Sequence, residues 1–390
     1  MKPGHISRRT LLRLGIGAGA ALTTAGCSAG DGGRGGSSPR SSGSAGTARP
    51  PHTWRHATGS WVQASPVVAD GVVYIGSHDK SLYALDASTG APHWAFATGD
   101  AVRSSTAVAD GAVYFGSGDM NLYAVDAATG LKRWSFTTGS WVHSTPVIAD
   151  GTVYFGSHDA NVYALDAATC TKKWVFPTGK WISSSPAVAD GVVYISSFDG
   201  NVYALDAATG SRRWVFPTGQ YVAASPAVVD GVVYIGARDE NLYALDAATG
   251  SQKWASPVGG WVSGTAAVVD GTVYIGEGRY VHALDATTGT KKWGFRTRGA
   301  VFSSLTAVGG VVYAGSLDRN VYAIDAATGT KKWAFATGDE VHSPPTVAGG
   351  LVYVGSNDGN VYALDAATGA GPALPTPTDA APAETPTAWT

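Results

Sequence analysis

Acid–base or metal chemistry in this chain would have to come from four histidines, His78, His143, His158 and His342, and from an aspartate series at Asp79, Asp119, Asp159, Asp199, Asp239, Asp318 and Asp358. The histidines lack the spacing that brings ligands to one metal ion, so they read as ordinary surface residues. The aspartates recur at one position of a repeating pattern. Equivalent carboxylates cannot nominate a catalytic pair, and their regularity marks turns. No Ser/His/Asp or Cys/His arrangement stands out, and no G-x-x-x-x-G-K-[ST] phosphate loop is present. Cys27 and Cys170 are the two cysteines, and Cys27 falls in a leader, so no intrachain disulfide is expected. Cys170 stands where sister segments carry a turn glycine and reads as a neutral substitution rather than a reactive thiol.

The pattern that must position these residues is A-x-D-x-x-T-G-x-x-x-W. It runs complete from Ala84 to Trp94, Ala124 to Trp134, Ala204 to Trp214, Ala244 to Trp254, Ala283 to Trp293 and Ala323 to Trp333. The copy from Ala164 to Trp174 has Cys170 for glycine, and an eighth, from Ala363 to Gly369, stops before any tryptophan. An orphan, Trp54, precedes the first copy, so eight motifs meet eight tryptophans offset by one. Each interval of about forty residues holds four short β-branched and aromatic runs divided by Asp-Gly and Thr-Gly turns, with no stretch periodic enough to be a helix. Four strands repeated eight times predict an all-β, eight-bladed β-propeller of antiparallel blades over residues 53–369. The segment Thr53 to Ala57 is expected to complete the last blade and close the ring, with Trp54, Trp94, Trp134, Trp174, Trp214, Trp254, Trp293 and Trp333 docking between blades.

The rest of the chain reads as processing and tether. Ser7-Arg8-Arg9-Thr10-Leu11-Leu12 has the paired arginines of a twin-arginine export signal, and Thr24-Ala25-Gly26-Cys27 resembles a lipobox, with threonine where an aliphatic residue is usual. Residues 1–27 are therefore expected to be a signal peptide that ends at a lipidated Cys27. The protein would then sit on the outer side of the cytoplasmic membrane through a lipid anchor only, or be secreted. Residues 28–52, rich in Gly and Ser, and 370–390, rich in Pro, Ala and Thr, are expected to be disordered. The leader holds Lys2, Arg8, Arg9 and Arg13 and no acid, so the remainder carries a net charge near −6. That balance argues against a nucleic-acid partner.

Copies of the repeat differ most where packing constrains them least. After each Thr-Gly the chain leads into the next blade through Trp61, Ala101, Trp141, Trp181, Tyr221, Trp261, then a shortened turn at Ala300, then Glu340. The turns between second and third strands, expected on the same face, carry His78, Gly118, His158, Phe198, Arg238, Leu317 and Asn357. One face should thus display aromatics near the channel mouth. They either plug the channel and cover the inner strands, or form a recognition face, since aromatic rings anchor binding sites at little entropic cost.

The repeated motif resembles the tryptophan-docking motif of quinoprotein alcohol dehydrogenases and pyrroloquinoline-quinone (PQQ)-like repeat proteins, and the resemblance covers all eight repeats. That family includes eight-bladed, non-enzymatic members such as the BamB-type lipoproteins of the outer-membrane β-barrel assembly machinery, and sensor domains of bacterial kinases. Its dehydrogenases hold PQQ at the channel mouth beneath a disulfide of adjacent cysteines, with calcium on acidic and amide side chains. This chain has no Cys-Cys pair, and motif intervals of 39 or 40 residues leave no room for the insertions that carry those groups. The resemblance therefore implies a monomeric scaffold without a cofactor that binds another envelope protein. A small PQQ-dependent dehydrogenase and a sensor of a sugar or cell-wall ligand stand as alternatives.

Overall fold

Asp-Gly pairs between short β-branched runs dictate tight hairpins, because both central residues of a two-residue hairpin loop need positive φ. Asp70 and Gly71 supply it at 49° and 77°. In the computed structural model, which describes residues 52–374, these hairpins build eight four-stranded antiparallel sheets. Blade 1 comprises Val67–Ala69, Val72–Gly76, Ser81–Asp86 and Pro92–Ala97, paired in chain order, and blades 2 to 7 repeat the arrangement. No helix occurs among the described residues. The leader, Cys27, most of the tether and the tail beyond residue 374 lie outside them.

Blade 8 is assembled from both ends of the fold. Thr346–Ala348, Leu351–Gly355 and Asn360–Asp365 supply three strands, and Trp54–Ala57 pairs with the last of these, Trp54 opposite Ala363 and Ala57 opposite Asn360. The first strands of neighbouring blades touch one another all the way round, Val67–Ala69 meeting Thr346–Ala348 at the seam. The ring is closed as the motif count requires, and no blade is left with a bare inner face.

The core lies between blades, and one joint is built eight times. Trp54 of blade 8 is buried and its Nε1 donates to the Ala87 carbonyl of blade 1 at 2.9 Å. Tyr353 Oη donates to the same oxygen at 2.9 Å, with the two rings 5.9 Å apart. A carbonyl oxygen accepts two hydrogen bonds, so both polar tips of this aromatic pair are satisfied as their rings are buried. Trp94 and Tyr74 converge likewise on Ala127, and Trp174 and Tyr154 on Ala207. In blades 1 to 7 the strand pairing opposite the tryptophan shifts by one residue, between Ala84 and Leu85 in blade 1. Such a bulge re-aims the neighbouring side chain.

The motif's turn makes the platform on which the ring sits. Asp86 Oδ1 accepts the amides of Ser88 and Thr89 and the Thr89 hydroxyl, and Gly90 adopts φ 73°. A Cβ at Gly90 would lie 2.5 Å from the Trp54 ring. Cys170 keeps the same left-handed backbone, φ 63°, against Trp134.

The two faces of the disc have different contents. One carries the first hairpins and the motif turns. The opposite, connecting face carries the turns between second and third strands and the links from blade to blade. Because Trp54 pairs near the motif end of Asn360–Asp365, both termini of the described chain join the disc on the motif face.

Candidate functional site

Each link crosses the connecting face from the outer strand of one blade to the innermost strand of the next, pinned on both sides. In blade 3, the Trp141 carbonyl accepts the His158 amide at 2.9 Å, and the Val142 amide donates to Ser117 O of blade 2 at 3.1 Å. Aspartates reinforce the clamp. Asp79 Oδ2 accepts the Gly59 amide and the Tyr83 hydroxyl, both at 2.7 Å, and its Oδ1 accepts the Ser81 amide at 3.0 Å. Asp119, Asp159 and Asp199 repeat these bonds, so these aspartates hold turns and adjoining links together.

Side chains on the pinned links and turns fall into register. Trp141, His158, Trp181, Phe198, Tyr221, Arg238 and Trp261 form one unbroken arc over blades 3 to 6, alternating link and turn residues. Contacts inside a blade are tilted: Trp141–His158 at 5.6 Å and 45°, Trp181–Phe198 at 6.2 Å and 42°. Contacts between blades are parallel: His158–Trp181 at 5.5 Å and 7°, Phe198–Tyr221 at 4.9 Å and 8°. The Arg238 guanidinium continues the series, 4.3 Å from the centre of the Tyr221 ring and 3.4 Å from that of Trp261. Its charge over two ring faces is a cation–π contact that also fixes the arc's end. Trp141, Trp181 and Trp261 remain 44%, 50% and 48% exposed.

Elsewhere the pattern is interrupted. Trp61 and His78 make the same tilted pair in blade 1, at 5.5 Å and 49°, but Ala101 and Gly118 supply no ring in blade 2, so this pair stands apart from the arc. His78 is 6% exposed and its Nε2 has no hydrogen-bond partner. The expectation of a surface histidine fails here, because Trp61 covers it. Burial, with the Arg103 charge second, lowers its pKa to about 4. His143 is pushed well below the usual imidazole value by burial, then by His158 and Arg103. His158 is lowered by burial and Arg103, and its Nε2 lies 2.8 Å from Ser183 Oγ. His342 pairs instead with Glu340 at 2.9 Å.

The shortening assigned to the turn at Ala300 lies elsewhere. Thr297 Oγ1 donates to Arg279 O and Gly299 O, as Thr138 does to Met120 O and Ser140 O, so that turn is of ordinary length. The missing residue is in blade 6, where Thr272–Glu277 and Tyr280–Asp285 join through Gly278 and Arg279 alone. There the usual Tyr–Asp pair is replaced by His282 and Glu277, both buried, 3.1 Å apart. Burial lowers His282 to about 4 and raises Glu277, so neither favours its charged form. The 39-residue interval and a histidine in the tyrosine position were the sequence signals for this pair.

The mouth offers little enclosure. A depression of about 310 Å³ over blades 4 and 5 is lined by Phe198, Asn201, Gln220 and Tyr221, and a cleft of about 30 Å³ lies beside Ala101, Arg103 and Trp141. Among the described residues no group of three His, Cys, Asp or Glu side chains is placed to hold a metal, and the sequence has no adjacent cysteines.

Comparison with known proteins agrees with the fold. Among solved structures, the chain is similar to the computationally designed Ika8 protein, with TM-score 0.72 and 19% identity over 79% of this chain and 96% of that one. It is similar to BamB from Moraxella catarrhalis, with TM-score 0.69 and 19% identity over 80% and 98%. A third likeness is to the quinohemoprotein alcohol dehydrogenase ADHIIG from Pseudomonas putida HK5, with TM-score 0.70 and 19% identity over 83% and 77%. No curated protein sequence matches significantly. The sequence profile of the family described as outer membrane protein assembly factor BamB matches residues 51–104, 89–180, 178–293 and 277–371, which together span the whole ring. With its eight docked tryptophan joints and that match, the chain belongs to this family of PQQ-like β-propellers.

Proposed function

We propose that this propeller is a non-catalytic docking platform of the cell envelope, exported by the twin-arginine route, anchored through lipidated Cys27, and binding a partner protein along the arc from Trp141 to Trp261. The observation that carries this reading is the arc itself: aromatic surface held in place by mutual stacking and pinned backbone, half exposed on the connecting face. Large rings already fixed in place lose little entropy on binding, which is why Trp, Tyr and Arg dominate protein interfaces. Family membership supports it, since the family is described by an assembly factor. The lack of adjacent cysteines and the motif intervals of 39 or 40 residues weigh against the dehydrogenase alternative.

The test uses the full chain purified from membranes after mild crosslinking. Wild type and a Trp141→Ala/Trp181→Ala/Trp261→Ala variant are compared for the proteins recovered. The expected outcome is loss of a reproducible partner with an unchanged melting temperature. Recovery of the same proteins by both, or a thermal shift and dye-linked alcohol oxidation on adding PQQ and calcium, overturns the proposal.

A further inference from the structure

One link departs from the pinning that holds the other seven. In each of those, a carbonyl accepts an amide of the following turn and the next amide donates to the preceding blade, as Trp181 and Ile182 do with Phe198 and Ser157. The scheme resumes in the link into blade 7, where Ala300 and Val301 pair with Leu317 and Gly278. In the link into blade 6, the backbone of Gly259, Gly260, Trp261 and Val262 makes no hydrogen bond among the described residues.

The loss is written at four positions of the sequence at once. Threonine, which in every other link donates to a carbonyl of the preceding turn, is replaced by Val258. Glu277 stands where Ser157 of blade 3 donates to the Ser140 and Trp141 carbonyls, and it pairs with His282 instead of the link. The aspartate that accepts a link amide, as Asp159 accepts that of Gly139, is lost with the residue missing from the turn, and His282 replaces its tyrosine partner.

Two anchors and a hinge remain. Val258 and Val262 are buried, and Val258 is tied through its amide to Glu240 O at 2.9 Å and through its carbonyl to Lys291 Nζ at 3.1 Å. Between them lie two adjacent glycines. Gly259 has φ 98°, a backbone that only glycine adopts freely, and a Cβ on Gly260 would collide with Glu277 Oε1. Trp261 is half exposed, and the Arg238 guanidinium lies 3.4 Å from the centre of its ring. A segment without backbone hydrogen bonds, held only at its ends, opens more readily than its surroundings.

We propose that Gly259–Trp261 is a strap, hinged on its two glycines and latched by Arg238, which lifts Trp261 off the arc while Val258 and Val262 stay in the core. The arc then has a fixed part, from Trp141 to Phe198, and an adjustable last ring that closes over a segment after it has arrived. The strap is a property of the ring itself and does not depend on what docks along the arc.

Fluorine NMR of the full chain labelled with 5-fluorotryptophan tests it, with the lines of Trp141, Trp181 and Trp261 assigned by single changes to Phe. Relaxation dispersion is expected to show microsecond-to-millisecond exchange at Trp261 and none at the other two. Arg238→Gln should raise the ratio of open to closed strap roughly two- to fivefold, the strength of a half-exposed cation–π contact. Val258→Thr, which returns the missing hydroxyl, should reduce the exchange. Replacing residues 277–282 with the sequence of residues 157–163, which returns the serine, aspartate and tyrosine, should reduce it further. In hydrogen exchange, the Gly259 and Val262 amides should exchange about tenfold faster than those of Gly139 and Val142, as loss of their hydrogen bonds requires. A Trp261 line as free of exchange as those of Trp141 and Trp181, or one that neither Arg238→Gln nor Val258→Thr alters, overturns the strap and leaves the docking surface untouched.

Discussion

Glycine in the motif turn is required twice over, by its left-handed backbone and by the tryptophan lying against it, and Cys170 shows what happens when the requirement is relaxed. The cysteine keeps φ 63° and places a Cβ where a sister glycine would bring it within 3 Å of the ring. Left-handed backbone costs a non-glycine residue roughly 1–2 kcal/mol. Cys170→Gly is therefore expected to stabilise the protein by about 1 kcal/mol, read as a higher urea midpoint with unchanged slope. The motif aspartates carry a second residue-scale consequence. Asp126 and Asp206 are held down to about 2, first by the Arg133 and Arg213 guanidinium groups and next by threonine hydroxyls of the turn. The other six are lowered too, Asp86 by the Ser88 and Thr89 hydroxyls and Asp246 by Lys253. A carboxyl whose pKa falls on folding stabilises the fold fully above its unfolded value near ~4 and loses that contribution as pH drops through the folded value. Melting temperature should accordingly decline as pH is taken from about 4 toward about 2, and less steeply when Arg133 and Arg213 are both changed to Gln.

At the scale of the element, the unit of stability is the joint rather than the blade. Trp174 is buried in the cluster that blades 3 and 4 share, and its indole N–H is satisfied by Ala207 of blade 4. Trp174→Ala should cost roughly 3–5 kcal/mol in urea denaturation, with the near-ultraviolet signal of neighbouring joints lost in the same transition. Much of this was legible in the sequence, because tryptophan, aspartate and glycine recur at fixed offsets and each has a distinct physical duty. The tyrosines were less so. Tyr74 and its equivalents sit inside strands that would be aromatic in any case, and only coordinates show their hydroxyls meeting the tryptophan N–H on one carbonyl. The candidate face was half legible. Link and turn residues could be placed on one side from strand order, which brought Trp141, His158, Trp181, Phe198, Tyr221, Arg238 and Trp261 together. Their parallel and tilted alternation depends on the rotation from blade to blade, whereas Ala101 and Gly118, which carry no ring, separate them from Trp61 and His78. The burial of His78 was beyond reach of spacing alone, whereas the place of the deletion in blade 6 was open to it, since Gly271 precedes Ala283 by 12 residues where Gly231 precedes Ala244 by 13.

For the whole molecule, closure depends on four residues contributed from far away in sequence. Trp54–Ala57 pairs with Asn360–Asp365, and Trp54 makes the eighth joint. Deleting residues 53–58 removes a strand, a docked indole and the seam in one stroke, so the melting temperature should fall sharply in calorimetry. An unchanged melt would mean that the ring is held by other contacts. The same seam fixes direction as well as stability. Both ends of the described chain leave the disc on the motif face, and the row of rings lies on the opposite one. A partner can therefore cover the rings without touching the point where the closing strand begins.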